Sequence, residues 1–231
     1  MENNLSFNNN ANNNNELKII IVGNSGTGKT SYVNKWVKDE FTEQYHVTIV
    51  SEFSYKVTEY KGKIYKINIW DLAGMDQNIC ITKIFSKDAH GCVVLTDITN
   101  EKSLESSIKW KESIDETTKF LDGGLIPCIL IRNKIDLLNK DINDDNKIKE
   151  FVEKNNFINV FNTSAKTGIG IEESMYYLIG NIIDRLEKVG GINNLIKDRK
   201  SIVLEKKKYN DKNFNNNINN NEQNNIDNNC C

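Results

Sequence analysis

The chain has 231 residues, and its 30 Lys and Arg against 32 Asp and Glu leave a formal net charge of −2 at pH 7. A chain this close to neutral has no strong field that would attract a nucleic acid. Both ends are rich in asparagine, and such segments bury too little apolar surface to offset the entropy of ordering. The composition therefore predicts a disordered tail over 1–16, one folded domain over 17–189 and a flexible tail over 190–231.

The amino-terminal residues lack the basic and long apolar run of a secretory signal, and no apolar stretch is long enough to span a bilayer. We therefore expect the chain to act inside cells. Cys80, Cys92 and Cys128 stand singly in apolar stretches, without the paired spacing of a zinc site, and are predicted to be buried small hydrophobic residues. Cys230 and Cys231 differ, because they form a pair at the carboxyl end.

Short apolar runs alternate with helix-length segments along the predicted domain. Two of the runs flank the turn over 61–63 and predict an antiparallel hairpin. The remaining alternation predicts a mostly parallel sheet with helices on both faces, so the fold class is α/β with six strands and one antiparallel hairpin strand. The predicted strands are 17–22, 52–59, 64–70, 91–95, 128–132 and 159–163.

Three segments predict helices: 29–39, 103–120 and the last part of the domain. In the second helix, Leu104 and Ile108 are expected to face inward, while Trp110 fits either the core or the surface. The last helix carries one apolar stripe at steps of three and four residues. Its members are Ile171, Met175, Leu178, Ile182, Leu186 and Val189.

The first strand leads directly into a loop that matches the phosphate-binding pattern GxxxxGK[ST]. Its glycines allow main-chain amides and the helix amino end to face an anionic oxygen. Lys29 would neutralise the outer phosphates, and the hydroxyl of Thr30 would bind magnesium. The predicted nucleotide-binding residues here are Gly23, Asn24, Ser25, Gly26, Thr27, Gly28, Lys29, Thr30 and Ser31.

A second short pattern, DxxG, occurs twice. Asp71 ends the second arm of the hairpin, on the sheet edge that also carries the phosphate loop, where open α/β sheets bind ligands. We therefore expect Asp71 to hold magnesium through water and the Gly74 amide to meet a terminal phosphate. The competing match begins at Asp88, which is interpreted as a solvated charge at a helix end.

Two further loops follow the strands at 128–132 and 159–163 and indicate which base is bound. Asp136 can accept hydrogen bonds from both the ring N–H and the exocyclic amine of guanine, whereas adenine lacks that pair of donors. A carboxylate left unmatched in a buried site costs more than about 1 to 3 kcal/mol, so such a site discriminates strongly. The residues predicted at the base are Asn133, Lys134, Asp136, Ser164, Ala165 and Lys166.

With these stretches in order, residues 17–189 resemble the Ras superfamily of small GTPases and, more narrowly, the Rab family. The narrower resemblance is carried by Phe41, Tyr45, Thr48-Ile49, Trp70-Asp71, Ala89-His90-Gly91 and the run from Asp97 to Ser103 that leads to Trp110. It implies that Phe41 leans on the guanine, that Tyr45 lies near the phosphates and that Thr48 completes the magnesium shell. Thr42 is an alternative to Thr48, although the family spacing from Phe41 favours Thr48.

The resemblance implies a P-loop small-GTPase (Ras-like) fold and a GTP/GDP switch in vesicle trafficking that uses Mg²⁺, with Lys29, Thr48 and Gly74 as catalytic groups. It implies as partners an exchange factor, a GTPase-activating protein, a prenyl-dependent chaperone of the GDI or escort type and effectors, with the protein itself a monomer. Cys230 and Cys231 are similar to the double-cysteine ending that Rab proteins geranylgeranylate. Such lipids would anchor the chain to the cytoplasmic face of an intracellular or plasma membrane, with a soluble cytosolic pool.

The chain departs from the family pattern after Gly74, where Met75 replaces the glutamine that orients attacking water. A thioether cannot hold water as a carboxamide does, so we expect GTP hydrolysis to be very slow. Residues 76–78 and Val50 also depart from the pattern, and Gln77 is expected to point elsewhere. A hydrolysis-deficient, GTP-loaded interaction module at a membrane is the alternative function, and a phosphate-loop kinase or ATPase is a third.

Overall fold

The computed structural model describes residues 15–44, 47–74, 79–138 and 145–190. Six strands form one sheet in the order β2-β3-β1-β4-β5-β6. The strands are β1 Glu16–Val22, β2 Ser51–Tyr60, β3 Lys63–Leu72, β4 Gly91–Asp97, β5 Cys128–Asn133 and β6 Asn159–Asn162. The helices are α1 Lys29–Lys38, α2 Ile79–Phe85, α3 Glu101–Thr117, α4 Asp145–Lys154 and α5 Ile171–Lys188, with a short 3₁₀ helix at Ile135–Leu137.

The predicted sheet is confirmed. β1 pairs in parallel with β3 and β4, and β5 pairs in parallel with β4 and β6. Only β2 runs antiparallel among the described strands, joined to β3 by a two-residue turn. Lys61 and Gly62 of that turn both have positive φ, 50° and 74°, which is the backbone of the turn type that suits a twisted hairpin.

Helices cover both faces of the central strands. Consecutive residues from Ile19 to Val22 are fully buried, as are Cys92 to Val94 and Cys128 to Ile131. Because neighbouring side chains on a strand point to opposite faces, such runs are found where neither face meets water. The free thiols of Cys92 and Cys128 belong to these runs, as predicted, whereas the side chain of Cys80 lies outside the described part of the chain.

The predicted stripe of α5 is confirmed over five of its six members, which are all buried. Val189 is the exception, because the helix ends at Lys188 and the side chain of Val189 is 36% exposed. The amino-terminal boundary also shifts by one residue. Glu16, predicted in the tail, is the first residue of β1, and the main chain of Asn15 already accepts a hydrogen bond from Lys66.

Helix α3 corrects the prediction in two ways. It ends at Thr117 rather than at 120, since Thr118 is extended and Lys119 pairs with Leu125 in an isolated bridge. Its buried face is also more polar than expected, because Leu104 and Ile108 are only half-buried. The fully buried positions are Ser103, Ser107, Trp110, Lys111, Ser113 and Ile114.

Within the described residues, no helix is both long and apolar enough to cross a membrane.

A buried hydroxyl pair joins α1 to α5. The phenol of Tyr32, 1% exposed, lies 2.6 Å from the hydroxyl of Ser174. Ser174 itself donates to main-chain carbonyls of α5, so the phenol donates to Ser174. Because burial strips both groups of water, the pair contributes to the stability of the helix interface.

We expect Tyr32→Phe to lower the free energy of unfolding by about 1 kcal/mol, because it deletes one buried hydrogen bond without changing the ring packing. The measurement is urea unfolding with the same saturating nucleotide for each variant. Tyr177→Phe is the control, since its hydroxyl lies at the surface, 3.4 Å from the carbonyl of Ile158. Equal losses in the two variants would contradict the assignment.

Candidate functional site

The loops that follow the carboxyl ends of β1, β3, β5 and β6 surround one cavity of about 580 Å³. Parallel strands bring their carboxyl ends to one edge, so motifs far apart in sequence meet there. Most of the predicted residues line this cavity: Ser25, Gly26, Gly28, Lys29, Thr30, Ser31, Phe41, Thr48, Gly74, Asn133, Lys134, Asp136, Ala165 and Lys166.

Several predicted residues do not line the cavity. Gly23, Asn24 and Thr27 form the part of the phosphate loop behind the cavity. Asp71 contacts the lining residue Thr30, and Ser164 contacts the lining residue Asp136. Tyr45 lies outside the described residues, as do Met75 to Asn78 and the cysteines Cys230 and Cys231.

The phosphate loop approaches the base loop closely at Gly28. Gly28 precedes α1 with φ +90°, and a Cβ atom there would lie 2.5 Å from Nδ2 of Asn133. The Nδ2 atom of Asn133 donates to the carbonyl of Thr27 at 3.0 Å. Glycine is therefore required both by the backbone angle and by the hydrogen bond that joins the two loops.

The ammonium group of Lys29 lies inside the loop. Its Nζ atom donates to the carbonyl of Asn24 at 2.9 Å, and the side chain is buried. Burial lowers the pKa of Lys29 to about 8, and the negative charge of Asp71 opposes this shift. A Cβ atom on Gly74 would lie 2.4 Å from Nζ of Lys29, so the close approach of this segment to the lysine also depends on glycine.

Three candidate magnesium ligands meet at the phosphate end of the cavity. The hydroxyl of Thr30 donates to Oδ2 of Asp71 at 2.5 Å and lies 3.0 Å from the hydroxyl of Thr48. Thr42, the alternative to Thr48, instead accepts a hydrogen bond from the amide of Gln44. Asp88, the competing carboxylate, is exposed, whereas Asp71 is 1% exposed.

The carboxylate of Asp71 suits a divalent cation. Its Oδ1 atom is buried and has no hydrogen-bond partner among the described residues, and an orphaned buried acceptor is costly unless something satisfies it. Hydroxyl and carboxylate oxygens are also the ligands that Mg²⁺ prefers. Burial raises the pKa of Asp71 to about 6, although the hydrogen bond from Thr30 and the charge of Lys29 oppose the shift.

At the base end, the side chain of Asn133 joins three loops. Besides its bond to Thr27, its Oδ1 atom accepts from the hydroxyl of Thr163 at 3.2 Å and from the amide of Ala165 at 3.1 Å. The hydroxyl of Ser164 donates to Oδ1 of Asp136 at 2.5 Å. Asp136 is exposed, which corrects the expectation of a buried carboxylate.

Two lysines flank the base end, each held by a carboxylate that the sequence analysis did not assign to the site. Lys134, in a left-handed conformation with φ 71°, donates to Asp97 at 2.6 Å. Desolvation alone would raise the pKa of Asp97, but bonds from Lys134 and Thr99 lower it overall. Lys166 donates to Glu43 at 2.9 Å across the mouth of the cavity.

The lining residues that sequence reasoning missed are Asn34, Glu43, Gln44, Val47, Glu52 and Leu137, while Thr42 had been weighed as the alternative to Thr48. Adjacency to a recognised motif could have indicated Val47 and Leu137, each next to a predicted residue. Asn34 lies four residues after Thr30 on α1, so helical spacing could have indicated it. Glu52 carries no local signal, because only the folded chain brings β2 to this cavity.

Comparison with known proteins agrees with this geometry. The sequence profile of the Ras family matches residues 18–184. The human Ras-related protein Rab-7L1 is 32% identical over 164 residues, which cover 71% of this chain and 80% of the relative. Human Rab-32 is 30% identical over 168 residues (72% and 75%), and Rab-32A of Dictyostelium discoideum is 35% identical over 170 residues (72% and 77%). This chain belongs to the Rab family of small GTPases.

Ras-family GTPases bind guanine nucleotide and Mg²⁺ as a class. The Rab-family membership therefore agrees with a cavity that has hard oxygen ligands at one end and a carboxylate beside two lysines at the other. The hydroxyls of Thr30 and Thr48, with the carboxylate of Asp71 acting through water, are the oxygens here that fit such a cation.

We expect the affinity for Mg²⁺ to depend on pH through Asp71. The cation needs the ionised carboxylate, and with a pKa of about 6 that form prevails above pH 6 and is lost below it. Protonation of Asp71 by itself should therefore make the affinity for Mg²⁺ about tenfold weaker at pH 5 than at pH 7. Titration of the GDP-bound protein with Mg²⁺ at each pH measures the effect.

Because the phosphates of GDP also titrate, the comparison is with variants in the same nucleotide. Asp71→Asn should bind Mg²⁺ weakly and lose this part of the pH dependence, whereas the exposed Asp88→Asn should keep it. Identical pH profiles in the two variants would refute the assignment to Asp71.

Proposed function

We propose that this Rab-family GTPase is a guanine-nucleotide switch that binds GTP and GDP with Mg²⁺ and hydrolyses GTP slowly. One observation carries the proposal: a single cavity is lined by Thr30 and Thr48 at one end, where Thr30 contacts the carboxylate of Asp71, and by Asp136 at the other end. A nucleoside phosphate has the same polarity, with a neutral base at one end and anionic oxygens at the other.

Base selection follows from the hydrogen-bonding capacity of Asp136. An ionised carboxylate only accepts, and guanine offers two adjacent donors, the ring N–H and the exocyclic amine. Ser164 donates to one oxygen of Asp136 and so orients the carboxylate. Asn133 acts differently, because its bonds to Thr27, Thr163 and Ala165 make it a clamp between loops.

The phosphate end is proposed to act by charge and by main-chain donors. Lys29 is cationic at neutral pH even with its lowered pKa of about 8, and it lies beside Gly74, whose amide would face a terminal phosphate. Mg²⁺ bound by this oxygen set supplies a Lewis acid that neutralises charge on the transferred phosphoryl group.

The segment around Thr48 has the properties of a switch. Its neighbours Ile49 and Val50 are 82% and 46% exposed, so they contribute little to the core. Thr48 itself lines the cavity, and its hydroxyl lies 3.0 Å from that of Thr30. The main chain of Val50 is bound to Ala73 after β3. Because the apolar side chains before it have few core contacts, the segment can respond to what occupies the site and would then present those side chains to effectors.

Met75 supports slow turnover and is also the observation that favours a second candidate function. Unaided small GTPases with a glutamine at this position turn over on the order of 10⁻⁴ per second, and a thioether cannot orient water by hydrogen bonding. The second candidate is therefore a hydrolysis-deficient module that stays GTP-bound and acts as an interaction platform at membranes.

We also propose a role in membrane trafficking, with geranylgeranyl groups on Cys230 and Cys231. Rab-family membership supports exchange factors, activating proteins, a prenyl-binding chaperone and effectors as partners. Two lipid chains would anchor the protein stably, since one chain alone binds only reversibly. Mass spectrometry of the carboxyl-terminal peptide from cells tests this, and an unmodified peptide would contradict it.

The base assignment is tested by Asp136→Asn. The amide replaces one acceptor oxygen by a donor, so affinity for GDP should fall by roughly 10³- to 10⁴-fold, while xanthosine diphosphate, which has a carbonyl in place of the amine, should bind better. Calorimetry measures both, with the exposed Asp88→Asn as control. Preferential binding of ATP by the unmodified protein would overturn the proposed function.

The catalytic assignment is tested by Met75→Gln. A carboxamide can orient water, so single-turnover GTP hydrolysis should rise to the order of 10⁻⁴ per second, with Met75→Leu unchanged from the natural chain. Phosphate release is followed over hours, with and without candidate activating proteins. Hydrolysis by the natural chain at the rate of a glutamine-bearing Rab would contradict the role given to Met75.

A further inference from the structure

Helix α3 reaches the phosphate loop through one hydrogen bond. The indole Nε1 of Trp110 donates to Oδ1 of Asn24 at 2.7 Å, and the side chain of Trp110 is 1% exposed. An indole N–H can only donate, so this contact fixes which atom of the Asn24 carboxamide faces the helix. Asn24 belongs to the phosphate loop, 86 residues away in sequence.

Asn24 in turn holds the side chain of Lys29 by a hydrogen bond. Its main-chain carbonyl accepts from Nζ of Lys29 and from the hydroxyl of Thr27, both at 2.9 Å. The next residue, Ser25, donates its amide to the carbonyl of Gly74 at 2.7 Å. The residue that Trp110 contacts therefore supports the cation for the phosphates and adjoins the link to Gly74.

The same buried face of α3 supports the base end. Ser103, seven residues and about two turns before Trp110, accepts a hydrogen bond from the amide of Asp97 at 2.9 Å. The carboxylate of Asp97 accepts from Lys134 at 2.6 Å. One helix face thus contacts the second layer of residues at both ends of the cavity.

We propose that Trp110 is a positioning residue for nucleotide binding, which holds Asn24 and thereby keeps Lys29 aligned with the phosphates. The inference rests on the proposed guanine-nucleotide binding and adds a residue to it. Without the indole N–H, the carboxamide of Asn24 loses its partner in α3, and the loop gains conformations in which its carbonyl no longer holds Lys29. A helix outside the cavity then contributes to how long the nucleotide stays bound.

A purely structural role would require only that the buried indole find some acceptor. Trp36 offers the matched case within the same chain. It is 2% exposed, and its Nε1 atom donates to Glu172 at 3.0 Å, away from the phosphate loop. Loss of each indole N–H should cost similar stability, but only Trp110 should change nucleotide dissociation.

The test measures the dissociation rate of a fluorescent GDP analogue in the presence of Mg²⁺ for Trp110→Phe, Asn24→Ala, the double variant and Trp36→Phe. We expect Trp110→Phe and Asn24→Ala each to raise the rate about 3- to 10-fold, in line with the loss of one hydrogen bond. The double variant should be no faster than the faster single variant, because both remove the same contact. Trp36→Phe should stay within about twofold of the natural chain.

Urea unfolding of the same variants separates positioning from packing. A rate increase shared by Trp110→Phe and Trp36→Phe, or additive effects of Trp110→Phe and Asn24→Ala, would overturn this inference alone. Should Trp110→Phe fail to fold, Asn24→Ala decides the matter, since an unchanged rate in that loop variant overturns the inference. A natural chain that binds no guanine nucleotide would overturn both this inference and the proposed function.

Discussion

The side chain of Asn133 is the contact on which the site depends. Its amide hydrogen reaches the carbonyl of Thr27, and its oxygen accepts from Thr163 and Ala165. The ends of β1, β5 and β6 are thereby held together by one buried carboxamide. A buried carboxamide without these partners would be destabilising. The side chain of Asn133 therefore requires the three loops to lie where they do, and the loops in turn are held there by Asn133.

A second constraint is the burial of opposite charges at the phosphate end. Lys29 and Asp71 are both almost fully enclosed. Burial lowers the pKa of Lys29 and raises the pKa of Asp71, and both shifts favour the uncharged form of the group. The Oδ1 atom of Asp71 has no hydrogen-bond partner among the described residues, which indicates that the site is arranged to bind a ligand. A cation and a polyanion bound there would restore the interactions that desolvation removed.

Helix α3 shows how the scaffold and the site are joined. Its buried face is lined by serines as well as by Trp110 and Ile114, and small side chains allow the helix to lie close to β4. Lys111 is enclosed on the same helix and paired with Asp115 one turn later. The polar character of this face, which periodicity alone did not reveal, is what lets the helix form hydrogen bonds with Asp97 and Asn24.

Local patterns in the sequence determined the strands, the hairpin, the phosphate loop and the two base loops, because each depends on residues adjacent in the chain. Asp71 was preferred to Asp88 because the carboxyl ends of parallel strands lie at one edge of a sheet, and Asp71 is indeed buried beside Thr30. Thr48 was preferred to Thr42 on the family spacing from Phe41, and its hydroxyl lies 3.0 Å from that of Thr30. Boundaries were less secure. Val189 falls beyond the end of α5, and residues 118–120 beyond the end of α3.

Tertiary structure alone decided the contacts between distant segments. Asp97 with Lys134, Glu43 with Lys166, and Trp110 with Asn24 join residues separated by tens of positions, and nothing in their local sequence names the partner. The exposure of Asp136 could not be predicted from the sequence either, because solvent access depends on how the surrounding loops pack. A pattern of neighbouring residues specifies local geometry, whereas the pairing of side chains across the sheet edge requires the whole chain to be folded.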